Sequence, residues 1–271
     1  MTTVKVSITE GRQCDKKTVF QHYGMKQLPV HYYSLRGTMT HAIINITLNR
    51  ILTNQPVTES FFAAENSDWV FPTLTDTRKG ERIVLEPHYN KILPECLEGG
   101  KKFYEWLTAA TWNDSTNRMI VSEGVIKMEE TLGVSMSGPD DLDILVEGTP
   151  DFFSQEFLVD FKAGKRSWKK GGDNNYREQL AGYLWLIQST YGWKPKPLIL
   201  YLGEKSVLVD QMERDELIKK HLPKLKANLK KKADLKYRLT QEGSTLGVDD
   251  IPPERDFLCS MCEYTHLCRG Y

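Results

Sequence analysis

A mixed α/β domain is the fold class the sequence predicts, and two observations predict it. Strand-like runs rich in β-branched and aromatic residues crowd residues 118–210: RMIVSEGVIKMEE (118–130), DILVEG (143–148), EFLVDFK (156–162), PLILYLG (197–203) and KSVLVD (205–210). Helix-like stretches stand before, between and after them: RGTMTHAIINITLNRIL (36–52), NNYREQLAGYLWLIQSTYG (174–192) and a long charged run over about 213–236.

In chain order, the first 35 residues are polar and aromatic and predict loop or short helix. In 36–52, Met39, Ile43, Ile46 and Leu48 fall near one helical face, and Thr38 can cap it. Residues 53–92 carry no clear period and read as an irregular insertion. PECLEGGKKFYEWLTAAT (94–111) becomes helical towards its end, where Phe103, Trp106, Leu107 and Ala110 form one stripe. The stretch 174–192 is an amphipathic helix that Gly192 can end. The tail, 240–271, turns at Gly243, Gly247 and Pro252-Pro253 and finishes in a cysteine cluster.

The 271 residues suffice for one large domain with a proper core, and 40% hydrophobic with 27% charged residues is ordinary globular composition. No apolar run approaches the roughly 20 residues of a membrane helix. The start, MTTVKVSITEGRQ, has no apolar signal core, so the expectation is a cytoplasmic protein without a membrane partner. Charge is balanced, 36 basic against 36 acidic residues, so net charge neither announces nor excludes a nucleic-acid binder. The basic run 219–238 is either a solvated helix face or one turned to phosphates. No G-x-x-x-x-G-K-[ST] occurs, so any helicase is a separate chain.

FLVDFKAGK (157–165) poses the chemical question, because an apolar strand ends in a carboxylate and an ammonium. Strand alternation sends Asp160 and Lys162 to one face and Phe161 to the other. Asp151 lies nine residues upstream, and a tight turn at Ser154-Gln155 would pair 143–152 with 156–162 and bring the two carboxylates together. Two carboxylates at adjacent strand ends suit a hard divalent cation such as Mg²⁺ or Mn²⁺, and a neighbouring lysine can orient the attacking water. Asp141 in SGPDD (137–141) is the competing acid, with Asp140 and Asp143 beside it. Gln179 and Tyr183, four apart on a helix, share a face that can line the same cleft.

GTPD, then DFK, then QLAGY resembles the PD-(D/E)XK nuclease superfamily, most nearly its RecB-type branch. The resemblance implies a restriction-endonuclease-like core, a mixed central sheet flanked by helices. It implies a histidine in a Gly-x-x-x-His context on an upstream helix, here Gly37 to His41. His41, Asp151, Asp160 and the backbone carbonyl of Phe161 would then hold Mn²⁺ or Mg²⁺, and Lys162 would serve the attacking water. Gln179 and Tyr183 would position the strand, with Lys165, Arg166, Lys169 and Lys170 on phosphates. Asp160 stands where many members carry Glu.

Cys259-x2-Cys262-x5-Cys268 with Cys14 resembles the iron–sulfur members of that branch, among them the AddB nuclease domain and the CRISPR adaptation nucleases. It implies a [4Fe–4S] module joining the N- and C-terminal segments; zinc, helped by His22 or His266, is the rival for four thiolates. Cys96 reads as an ordinary residue. The chain thus parses as one nuclease domain: cluster-binding segments 1–35 and 240–271, core 36–52 and 118–210, an insertion 53–117 and a basic helix 211–239. The function implied is a metal-dependent exonuclease on single-stranded DNA or DNA ends, in recombination or phage DNA metabolism inside a host cell. A separate helicase, recombinase or integrase would be its partner. The alternatives are a CRISPR spacer-processing nuclease and a catalytically weak DNA-binding or assembly module.

Overall fold

The computed structural model describes residues 2–25, 32–63, 86–113, 126–164, 172–203, 205, 207–241, 244, 246–251, 262, 264, 267 and 268. The strands are β1 (Thr3–Ser7), β2 (Lys127–Met128), β3 (Leu132–Ser137), β4 (Asp143–Gly148), β5 (Phe152–Phe153), β6 (Phe157–Lys162), β7 (Lys196–Tyr201) and β8 (Leu208–Gln211). The helices are α1 (Asp15–His22), α2 (Tyr32–Leu52), α3 (Glu86–Asn113), α4 (Gly172–Tyr191) and α5 (Arg214–Thr240).

Among the described residues the strands form two mixed sheets, ordered β1-β4-β3 and β2-β5-β6-β7-β8. β1 runs parallel to β4 and β6 parallel to β7; the other pairings are antiparallel. Two sequence expectations change here. The polar opening segment is a strand, because Val6 and Ile8 alternate into the core. The pairing of 143–152 with 156–162 is replaced: β4 takes β1 and β3 as partners, and only Phe152 and Phe153 pair with β6, opposite Val159 and Leu158. The chain therefore leaves one sheet and enters the other across Thr149-Pro150-Asp151.

The five-stranded sheet is covered on both faces. Phe157, Val159 and Phe161 of β6 pack with Leu198 and Leu200 of β7 against Ile44 and Leu48 of α2 and Phe103 and Leu107 of α3. Leu158, Ile199 and Tyr201 pack the other way, against Leu180, Leu184 and Ile187 of α4. α2 is long enough to serve two partners, since Leu35, Met39 and Ile43 meet Ile92, Cys96 and Leu97 of α3. Residues 86–92, the end of the stretch expected to be irregular, thus belong to a helix closing one face of the core, and 64–85 lie outside the described residues. The long charged helix buries Leu217, Leu225, Leu229 and Ala233 of α5 on the core side and leaves most of its lysines outward.

α4 sits unusually close to its neighbours at two glycines. A Cβ on Gly182 would lie 2.7 Å from Leu225 and 2.8 Å from Ile8; on Gly148 it would lie 2.8 Å from Leu186 and 3.0 Å from the Tyr183 ring. Only glycine lets helix and strand approach this far.

A buried ion pair fastens α1 to α5. Lys232 is 2% exposed, and its Nζ donates to Asp15 Oδ1 (2.6 Å) and to the Gln13 carbonyl (3.0 Å). Lys231 Nζ meets the other Asp15 oxygen at 2.7 Å. Burial alone would push the Asp15 carboxyl up, but the hydrogen bonds and charges of Lys231 and Lys232 outweigh it and hold the pKa below the ordinary carboxylate value. A carboxyl depressed in this way adds stability above its unfolded pKa of about 4, and loses it as pH falls through the lower folded value. Asp15→Asn, which leaves Lys232 buried without its counter-charge, is expected to cost about 3 kcal/mol in urea unfolding at neutral pH. The gap between variant and wild type should close as the pH is taken below about 4.

Candidate active site

The site forms where a ladder stops. The carbonyls of Glu156, just before β6, and of Lys162 at its end accept from Lys196 and Leu202 on the β7 side, and the carbonyl of Phe157 accepts from Ser154 on the β5 side. With a period of two, Phe161 also presents its N–H and C=O to the β5 side. β5 pairs only as far as Phe152 opposite Val159, and the same register would set Pro150, which has no N–H, opposite Phe161. Two side chains take the place of the missing strand. Asp151 Oδ2 accepts the Phe161 N–H at 2.8 Å, and His41 Nε2, carried in by α2, lies 3.1 Å from the Phe161 carbonyl. His41 Nδ1 lies 3.2 Å from Asp151 Oδ1, which closes the ring of contacts.

The electrostatics follow from burial and these partners. Burial pulls the His41 imidazole down, but the hydrogen bond to Asp151 and the charges of Asp151 and Asp160 hold its pKa above the usual value. Burial pushes Asp151 up, and the hydrogen bond and charge of His41, with Lys162 and the Phe161 N–H, bring it below the ordinary carboxylate value. Asp160 goes the other way: burial and the charge of Asp151 raise its pKa, with Lys162 opposing.

Asp160 and Lys162 point to the α4 face, as alternation requires. The Asp160 side chain is 3% exposed, and Lys162 Nζ lies 2.5 Å from its Oδ2. The contact is ionic, since that oxygen accepts no directed hydrogen bond among the described residues. Lys162 is held from a second side by the ring of Tyr176, 4.5 Å from Nζ to the centroid. One turn further along α4, Gln179 Nε2 donates to the Tyr183 hydroxyl at 2.8 Å, and the Gln179 oxygen accepts from Arg12 at 2.6 Å. Burial raises the pKa of the Tyr183 hydroxyl, so it stays protonated.

The structure thus gathers His41, Asp151, Asp160, Phe161, Lys162, Gln179 and Tyr183 around the end of β6. Asp140 and Asp141, the rival acids, lie apart in an exposed turn at positive φ (51° and 58°), and Asp143 accepts a hydrogen bond from Thr3. Lys165, Arg166, Lys169 and Lys170 fall outside the described residues, as does Cys259. Cys14, at the N-terminal cap of α1, and Cys262 and Cys268 are half-buried, and none is in a disulfide. Buried Tyr264 packs its ring 5.3 Å from that of Phe20, which sets Tyr264 against α1. Tyr176 and Arg12 were not anticipated. Tyr176 stands three residues before Gln179 on the same helical face, which the sequence did offer. Arg12 reaches the site from 167 residues away, and no local pattern marks it.

No group of three His, Cys, Asp or Glu side chains spaced to hold a metal ion occurs among the described residues. The convergence at Asp151 consists instead of one imidazole, one carboxylate and one backbone carbonyl, with the Asp160 carboxylate turned to Lys162. These are nitrogen and hard oxygen donors, the set a small divalent cation takes.

The fold and this strand end define a class. The model of the PD-(D/E)XK nuclease superfamily matches residues 13–269, and the chain belongs to that superfamily. Among solved structures, one named "Putative exonuclease" from Eubacterium rectale is similar at 12% identity, covering 98% of this chain and 93% of that one, with a TM-score of 0.50. A crystal structure of SSO0001 is similar at 11% identity over 98% of this chain and 86% of that one, with a TM-score of 0.43. No curated protein matches the chain.

Asp151 is both a charge and a structural acceptor, and two variants separate these roles. Asp151→Asn keeps an oxygen for the Phe161 N–H and should cost about 1 kcal/mol or less. Asp151→Ala strands the N–H at the end of β6 and should cost about 2 kcal/mol more in urea unfolding.

Proposed function

We propose that the protein is a Mg²⁺- or Mn²⁺-dependent deoxyribonuclease, acting as an exonuclease on single-stranded DNA or free DNA ends. The observation that carries this reading is the end of β6. There an imidazole, a carboxylate and a backbone carbonyl converge within hydrogen-bonding distance, beside a buried carboxylate and a lysine on the same strand. His41, Asp151 and the Phe161 carbonyl would hold the cation, with Asp160 joining once its carboxylate turns from Lys162. A bound divalent cation lowers the pKa of a water and neutralises phosphate charge. Lys162, braced by Asp160 and the Tyr176 ring, presents its ammonium to the attacking water and to charge developing on the phosphoryl oxygens. The Tyr183 hydroxyl, protonated and accepting from Gln179, keeps its own proton to donate to a strand oxygen. Membership of a nuclease superfamily supports hydrolysis of phosphodiesters. The name of the Eubacterium rectale neighbour agrees with cutting from an end.

Lys162→Ala and Asp160→Ala should each lower Mn²⁺- or Mg²⁺-dependent digestion of single-stranded DNA by about 100-fold or more. Oligonucleotides labelled separately at each end check this and report the direction of cutting. Wild-type activity in both variants would remove this site from the mechanism.

In the same reading Cys14, Cys259, Cys262 and Cys268 hold a [4Fe–4S] cluster that staples the tail to α1. The ring contact of Phe20 with Tyr264 supports it, since Tyr264 lies between Cys262 and Cys268 in sequence and Phe20 lies on α1, whose N-terminal cap position is Cys14. Protein purified without oxygen should be brown and contain about four iron atoms per chain. Colourless protein with a single zinc would overturn the cluster.

A further inference from the structure

We propose that Arg12 is a further substrate-binding residue of this site, its guanidinium taking a backbone phosphate of the nucleic-acid strand beside Tyr183 and Asp160. The inference rests on the nuclease reading above. Arg12 ends a 3-10 turn, Glu10–Arg12, that is anchored on both sides. Glu10 accepts the Ser7 N–H at 2.7 Å and an ion pair from Lys236 at 2.7 Å. The turn therefore holds the arginine where it is.

The guanidinium is a cation in want of an anion. It is largely buried, which pushes its pKa down against the attraction of Asp160. Its one hydrogen bond to a described residue goes to a neutral amide, the Gln179 oxygen, and its buried Nε has no partner among the described residues. The nearby carboxylates are already engaged: Asp160 with Lys162 at 2.5 Å and Glu178 with Lys224 at 2.6 Å. Burying a cation with only a neutral amide against it is costly, and the cost is recovered when an anion arrives.

The arginine also orders its neighbours. A guanidinium only donates, so the Gln179 oxygen must face Arg12 and the Gln179 nitrogen must face Tyr183. The Tyr183 oxygen then accepts, and its proton is left to donate. Arg12, Tyr183 and Lys162 make a run of donors along the face of α4 that carries Tyr176, Gln179 and Tyr183. Phosphodiester oxygens fit that chemistry, and the planar fork of arginine suits them better than a point charge.

The test uses a fluorescent single-stranded oligonucleotide and the full-length chain made cleavage-deficient by Lys162→Ala. Binding is followed by anisotropy between about 50 and 200 mM salt. Adding Arg12→Met should weaken binding roughly tenfold. It should also lower the slope of log affinity against log salt by about 0.7, the value of one phosphate contact to a single strand. Arg12→Lys is the second arm: it should lose affinity severalfold yet keep the parental slope. A structural residue would not move the slope. Parental affinity and slope in Arg12→Met, or a slope in Arg12→Lys as low as that of Met, would overturn the proposal. A wild type that cuts DNA while Arg12→Met binds like its parent sinks Arg12 alone. A wild type that neither binds nor cuts sinks the nuclease reading and this inference together.

Discussion

An interrupted hydrogen-bond ladder is the constraint on which the rest of this molecule depends. β6 lies between two strands, but its partner on one side is two residues long. Beyond it, the N–H and carbonyl of Phe161 would be buried without partners, which is costly in a protein interior. The fold satisfies them with the acid at the sheet crossing and a histidine from a helix on the opposite layer. A structural need of the strand and the clustering of the candidate metal donors are therefore the same event. Pro150 matters here as much as Asp151, because it cannot continue the ladder.

The second layer of organisation is the separation of charge across β6. Asp151 and His41 lie at the strand's open edge, whereas Asp160 and Lys162 project to the α4 face. The two carboxylates are driven apart in acidity, one down and one up, by their different partners. Like charges in one desolvated site resist ionising together, and a cation or a flanking lysine is what permits both to stay charged. α4 adds neutral donors and the Tyr176 ring, so the positive charge of Lys162 is confined between an acid and an aromatic face.

Much of this was legible in the sequence where the signal is local. The two-residue period of FLVDFK places Asp160 and Lys162 on one face and Phe161 in the core. The four-residue spacing of Gln179 and Tyr183 puts them in direct contact. Pairings across long separations were not legible. DILVEG looked like one arm of a hairpin because its neighbour in sequence was a strand, yet its partners are β1, about 140 residues upstream, and β3. Thr3–Ser7 was passed over because so short a run means little until its partner is known. α3 begins eight residues before the stretch that looked helical, because residues 53–92 carry no clear period of their own; there packing of Ile92 and Leu93 on α2 holds the helix, with Pro94 inside it. Arg12 belongs to the same class of non-local contacts.

Gly148 and Gly182 act as spacers of zero thickness. They let α4 settle onto Ile8 and Leu225 and bring the Tyr183 ring close to the end of β4. A methyl group at either position would act as a shim, lifting the helix by a fraction of its width without touching any polar group. Displacements of about 1 Å can cost an enzyme on the order of 100-fold in rate. The depth of the cleft is therefore a quantity this chain sets with two hydrogen atoms, one on β4 beside the Tyr183 ring and one on α4.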